Sequence, residues 1–186
     1  MEINLEKGDS ISLDKVAPGL SNIHVGLGWD VNASHTVDCD VSVFMINDEF
    51  KIPSNGFFVF YNNLKSQDGA VVHMGDNTTG DGEGDDEVIN INLNSIDSQV
   101  TQMIFVVTIH KAAEKGLHFG MIDNAFIRIE NKYTGEEMCR YSLNSQFAGS
   151  DSVQIGRVYR YDGSWHFEAM GEGYSGGLGA VLNIYK

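Results

Sequence analysis

Apolar and polar residues alternate in short runs along nearly the whole chain. In Val88-Ile89-Asn90-Ile91-Asn92-Leu93 the period is two, which makes one side of an extended backbone apolar and the other polar. Runs of this kind predict strands near residues 3–5, 10–13, 23–29, 40–46, 57–61, 70–74, 88–93, 103–110, 125–130, 137–143, 153–161 and 165–171, with Gly, Asn, Asp and Ser between them. The expected fold is all-β, a β-sandwich of two antiparallel sheets with at most short helices. Met103-Ile104-Phe105-Val106-Val107 is apolar on both faces and predicts a central strand. The window 111–117 (KAAEKGL) alone is rich in Ala, Lys and Glu, and predicts a short helix.

With 186 residues, 42% of them hydrophobic, the chain can bury a core without disulfide staples, and no linker or repeat divides it, so residues 1–186 read as a single domain. Twelve Lys and Arg stand against 26 Asp and Glu, a net charge of −14, which repels nucleic acid backbones and anionic membrane surfaces. Cations are the natural small partners. The N-terminus lacks a basic segment followed by an apolar one and no run approaches a membrane span, so the expected location is the cytoplasm. Cys39 and Cys139 form no CxxC, and the six histidines form no HxH or HExxH. Zinc is disfavoured, and both thiols read as reduced and buried.

Charge concentrates between His73 and Glu87 (HMGDNTTGDGEGDDE), where Asp76, Asp81, Glu83, Asp85, Asp86 and Glu87 crowd together with no Lys or Arg. Carboxylates this close raise one another's pKa unless they spread into water or share a cation. Such a run also describes a solvated flexible loop. Against that reading, glycine alternates with acid and strand-like segments flank the run on both sides. Oxygen donors from Asp, Glu and Asn77 suit Ca²⁺, which accepts six to eight flexible ligands, better than Mg²⁺. The run is not an EF-hand: counted from Asp81, position 6 is Asp86 and position 12 is Asn92.

A second cluster lies upstream. Asp38 and Asp40 are two apart, so an extended backbone turns both to one face and Cys39 to the other. Asp30, after Gly26-Leu27-Gly28-Trp29, closes an apolar strand where its carboxylate can join them. The competing role for the pair is a turn in which Asp caps its own backbone.

Several motifs resemble catalytic ones without their context. Gly173-Tyr174-Ser175-Gly176-Gly177 matches GxSxG but is read as a turn-rich loop, because the elbow needs a following helix and later Asp and His partners. Gly171, Gly173 and Gly176 spell GxGxxG too close to the C-terminus for a dinucleotide fold. Paired carboxylates could serve a glycosidase, but Trp29 and Trp165 sit in apolar strand contexts that favour core packing over sugar stacking.

Taken together, the residues resemble the tellurium resistance protein TerD family. Val25-Gly26-Leu27-Gly28-Trp29-Asp30, Asp38-x-Asp40-x-Ser42 and Phe60-Tyr61-Asn62-Asn63-Leu64-Lys65-Ser66 resemble its N-terminal half, and residues 73–87 are similar to its acidic signature. Ile104 to His110, Ala125-Phe126-Ile127-Arg128 and Gly171-x-Gly173-Tyr174-x-Gly176-Gly177-Leu178 extend the likeness to the C-terminus. Glu83 stands where the family more typically has Asp, and Asp81 where it often has Glu. The resemblance implies a β-sandwich binding Ca²⁺ through the acidic loop and the upstream DxD, with Asp30, Asp38, Asp40, Asp76, Asn77, Asp81, Glu83, Asp85, Asp86 and Glu87 as candidate ligands. It implies a non-enzymatic scaffold or sensor in a bacterial stress-response system, partnered by other proteins of that system. The alternative is an enzyme acting on tellurite or another oxyanion, which the net charge and the lack of a redox thiol pair disfavour.

Overall fold

Period-two patterning becomes pleated strand throughout the computed structural model, which describes residues 3–31, 37–75, 84–143 and 147–186. The strands are β1 (Asn4–Leu5), β2 (Ser10–Ser12), β3 (Asn22–Val31), β4 (Cys39–Ile46), β5 (Phe58–Val59), β6 (Val71–His73) and β7 (Glu87–Asn92). They continue with β8 (Gln102–Ile109), β9 (Ile122–Asn131), β10 (Glu137–Ser142), β11 (Ser152–Tyr161) and β12 (Ser164–Tyr174). One sheet has the order β1-β10-β9-β3-β7-β6 and the other β2-β12-β11-β8-β4-β5. The pairs are antiparallel except β1 with β10, which is parallel. This is the all-β architecture that the alternation predicts.

The core lies between the sheets. Ile23, Val25 and Leu27 of β3 and Ile127 and Ile129 of β9 meet Val41, Val43 and Met45 of β4 and Phe105 of β8, all fully buried. Each such side chain contributes roughly 1.5–3 kcal/mol relative to exposure. Trp29 and Trp165 belong to the same core, as their apolar contexts suggest.

Strand β8 is buried on both faces, as its unbroken apolar run predicts. Met103, Phe105 and Val107 face the other sheet, while Ile104 and Val106 lie in a second cluster with Phe44, Phe58, Val181 and Tyr185. That cluster forms under a helix the sequence reading missed. Three helices are present among the described residues: α1 (Leu13–Val16), α2 (Ala112–Lys115) and α3 (Gly177–Tyr185). Only α2 falls in a predicted window. The expected loop after Gly173 is instead α3, because Leu178, Val181, Leu182 and Tyr185 recur at helical spacing and pack onto the sheet. Positive φ at Gly176 (107°) and Gly177 (70°) turns the chain out of β12 into it. Among the described residues no helix is long and apolar enough to cross a membrane.

Candidate metal centre

Strand β7 begins at Glu87, and the strand period that sends Ile89 and Ile91 into the core sends Glu87 inward as well. Its side chain is only 1% exposed, so the carboxylate requires hydrogen-bond donors. Glu87 Oε2 accepts from the backbone N–H of Val41 at 2.7 Å, on the opposite sheet, and lies 3.3 Å from His73 Nε2. His73 Nδ1 accepts from the Gly75 amide at 3.1 Å, which leaves the ring proton on Nε2, toward the carboxylate. Strand β5 pairs with β4 only at Val43 and Phe44, and the Val41 amide is taken by Glu87.

Asp86 is positioned by a bulge. The β3–β9 register shifts between Gly28 and Asp30, and the Trp29 amide donates to Asp86 Oδ2 at 2.8 Å while Asp86 donates its own amide to the Leu27 carbonyl at 2.8 Å. Asp30 is exposed, and its Oδ2 accepts from Asn124 Nδ2 at 2.7 Å. Asp30, Asp86, Asn124 and Gly84 line one open groove.

Asp38 and Asp40 approach from the other sheet. The His110 amide donates to the Asp38 carbonyl at 2.8 Å, and Asp40 Oδ2 lies 3.8 Å from His110 Nδ1. Cys39, between them, is fully buried in the inter-sheet core. Burial pushes the Cys39 thiol well above its ordinary value, and Asp40, Asp38, Glu87 and Asp86 push it further in the same direction. Glu87 points into the space between the sheets, whereas Asp40 lies on the outer face of β4 beside Thr108 and His110.

Cys139 behaves alike, pushed up to about 12 by burial and then by Glu137. Neither cysteine forms a disulfide. Native protein at pH 8 should therefore show no thiol reacting with an aromatic disulfide reagent, and denatured protein should show two. A fast native thiol would contradict both the burial and the raised pKa.

Asp85 stands apart from its neighbours. Its carboxylate lies on the outer face of the first sheet, directly over Gly26, where any β-carbon would overlap it. Arg128 Nε donates to its Oδ1 at 2.7 Å and Arg128 Nη2 to its Oδ2 at 2.8 Å, a bidentate pair that also has His24 Nε2 at 3.2 Å. Arg128 further reaches Glu130 at 2.9 Å and Glu137 at 3.1 Å. His24, Asp85 and Glu130 have the spacing of metal ligands, but the Arg128 guanidinium already supplies the positive charge there. Asp85 is thus held on the outer face by Arg128 and His24. The strand alternation of Ile127 and Ile129 places Arg128 and Glu130 on the outward face, so their side was legible in sequence. Their pairing with Asp85 was not.

Asp76, Asn77, Asp81 and Glu83 lie outside the described residues. The GxSxG segment needs one correction: a strand and a helix do flank it, contrary to the sequence expectation. Ser175 Oγ nevertheless donates to the Gly149 carbonyl at 3.0 Å.

An all-β sandwich whose two sheets bring carboxylates to a shared end is the class that this fold and site define. The chain belongs to the TerD family: the TerD domain model matches residues 1–185. It is 44% identical to general stress protein 16U of Bacillus subtilis over 188 residues, covering 100% of this chain and 97% of that protein. It is 43% identical to tellurium resistance protein TerD of Serratia marcescens over 187 residues, with the same coverage. A solved homologue of telluride resistance protein (TerD) from Streptomyces coelicolor superimposes with a TM-score of 0.68 at 20% identity, covering 90% of this chain and 97% of that one, which shows the shared fold.

Proposed function

We propose that this member of a tellurium-resistance and stress-response family binds Ca²⁺ at the acidic end of the sandwich and acts as a non-enzymatic scaffold or sensor. The observation that carries the reading is the density of carboxylates near one end of the sandwich, with Asp86 and Asp30 lining one open groove, Glu87 following Asp86 in the chain, and Asp38 and Asp40 at the start of β4, whose Val41 amide Glu87 accepts from. Hard oxygen donors in such number fit calcium chemically, and the Gly-rich segment 76–84 supplies further Asp, Glu and Asn oxygens close by in sequence. Asp30, Asp38, Asp40, Asp86 and Glu87 would hold the ion together with Asp76, Asn77, Asp81 and Glu83, while Asp85 anchors the loop's exit through Arg128. Bound calcium supplies positive charge that offsets carboxylate repulsion and presents a surface that protein partners of the stress response read. The names of the relatives, a stress protein and a tellurium resistance protein, support the physiological setting, and the strongly acidic chain favours a cation over an oxyanion such as tellurite.

Thermal unfolding with calcium, magnesium or chelator tests the proposal. At a free calcium concentration 100 times its Kd, one site should add about 2.7 kcal/mol to stability. Superimposable melts would remove calcium from the account, and an equal response to magnesium would reassign the ion. Asp40→Asn and Asp86→Asn should each weaken calcium binding and combine non-additively, whereas strict additivity would place them at separate sites. Purified protein that turns over tellurite would overturn the scaffold role.

A further inference from the structure

Exposed apolar side chains are not spread evenly over the surface. Five of the eight large ones among the described residues, Val16, Phe50, Tyr133, Tyr161 and Ile184, lie at the end of the sandwich opposite Asp40. Strand β4 runs from the acidic end to Ile46, just before Phe50, and Gln102 stands opposite both Ile46 and Tyr159, which brings Tyr161 to the same end. The Ile52 amide donates to the Tyr185 carbonyl at 2.8 Å and the Trp165 amide to Asp14 Oδ2 at 2.9 Å, placing Ile184 and α1 there. On the first sheet, Asn22 at the start of β3 donates through Nδ2 to the Tyr133 hydroxyl at 2.9 Å, and β3 runs from there toward Leu27, which stands opposite Glu87.

Phe50 is the outlier among them. It is 57% exposed and has a positive φ of 59°, a left-handed conformation that suits Gly or Asn and is strained for an aromatic residue. Asn47 fixes the loop: its Oδ1 accepts from the Glu49 and Lys51 amides and its carbonyl from the Phe50 amide, each at 3.0 Å. A mostly exposed aromatic ring, held rigidly at a backbone cost, is the kind of anchor that the centre of an interface uses. Charge names the partner. Asp48 and Glu49 precede Phe50, and Lys51, Lys132, Arg160 and Lys186 are exposed at the same end, so both signs are present for pairing across a twofold contact. The carboxylate-rich ends of two chains of net charge −14 instead repel each other. Six strands about 4.8 Å apart, in two sheets about 20 Å deep with their outer side chains, give this end roughly 500 Å² per copy, enough for a weak, reversible dimer. We propose that two copies of this chain associate end to end through this surface, with Phe50 at the contact and both acidic ends facing outward. The surface is remote from the candidate metal centre, so the association stands independently of calcium.

Sedimentation of the full chain over a concentration series, up to about 1 mM, tests this. The weight-average mass is expected to rise toward twice that of the monomer and no further, equally in calcium and in chelator. Phe50→Asn introduces a side chain that tolerates the left-handed conformation, and should weaken association roughly thirtyfold, the loss of a central anchor, without lowering the unfolding midpoint. Tyr161→Ser, outside the strained loop, should weaken association as well, with folding checked by the same melts. A chain that stays monomeric throughout the series would overturn the proposal, as would association of Phe50→Asn equal to that of the wild type. Growth past the dimer would replace the twofold contact with a head-to-tail one, and a dimer lost in chelator would move the contact to the acidic end; either result also overturns it.

Discussion

Replacing Arg128 with alanine should destabilise the protein by about 3 kcal/mol, the low end of the cost of stripping a buried charge of its partner. Asp85 is only 6% exposed and receives two of the guanidinium's N–H groups, while Glu130 and Glu137 crowd the same cation. Removing it leaves Asp85 and Glu130 without their guanidinium, in a chain that already carries a charge of −14, while Glu137 keeps Arg140. The pKa of Arg128 is raised, chiefly by its hydrogen bond to Asp85, which is the same coupling seen from the other partner. Urea unfolding should show the midpoint falling with little change in slope, and melting should drop by roughly 6–12 °C. Adding Asp85→Asn to Arg128→Ala should recover part of the loss, since the orphaned charge is then gone. A double variant no more stable than Arg128→Ala would show that the side chain acts through packing instead of through charge.

Glu87→Ala should be nearly as costly, at about 3 kcal/mol, combining an unsatisfied Val41 amide, a His73 ring deprived of its acceptor and a small void. The carboxylate connects the two sheets, so the loss falls on both. Glu87→Gln keeps an acceptor oxygen for the Val41 amide and should cost less than half as much. It should weaken calcium binding all the same, because one negative charge is gone. Equal stability of Glu87→Ala and wild type in urea would mean that water or a shifted side chain replaces these bonds.

Much of the fold was legible because burial enforces the period of two: every predicted strand has an observed counterpart, and β7 alternates buried and half-buried residues along its length. Helix α3 was not legible, since Gly176, Gly177 and Gly179 carry the weakest helix propensity of ordinary residues and the apolar face that stabilises the helix lies on a distant sheet. In the candidate centre, residue types pointed to a cation without separating adjacent acids by role. Asp85 and Glu87 share parity, yet they lie on opposite sides of the first sheet because the extended conformation starts only at Glu87. Asp85's partner Arg128 is 43 positions further along, and only the β9-β3-β7 neighbourhood brings them together. The bond from the Val41 amide to Glu87 likewise needed the packing of one sheet on the other.

The pairing of β1 with β10 and of β2 with β12 sets a schedule for biosynthesis. Ser12 waits for His166, and Asn4 for Arg140, so β1 and β2 acquire their neighbours only once β10 and β12 have been made. At ribosomal rates of about 5–20 residues per second, the nascent N-terminal strands stay unpaired for roughly 7–30 s. Both strands are very short, and β2 is flanked by Asp9 and Asp14, which keeps them poor templates for association during that interval. Closure of both sheets is thus a late event of synthesis, and shortening the C-terminus before β12 should leave an aggregation-prone chain instead of a smaller sandwich.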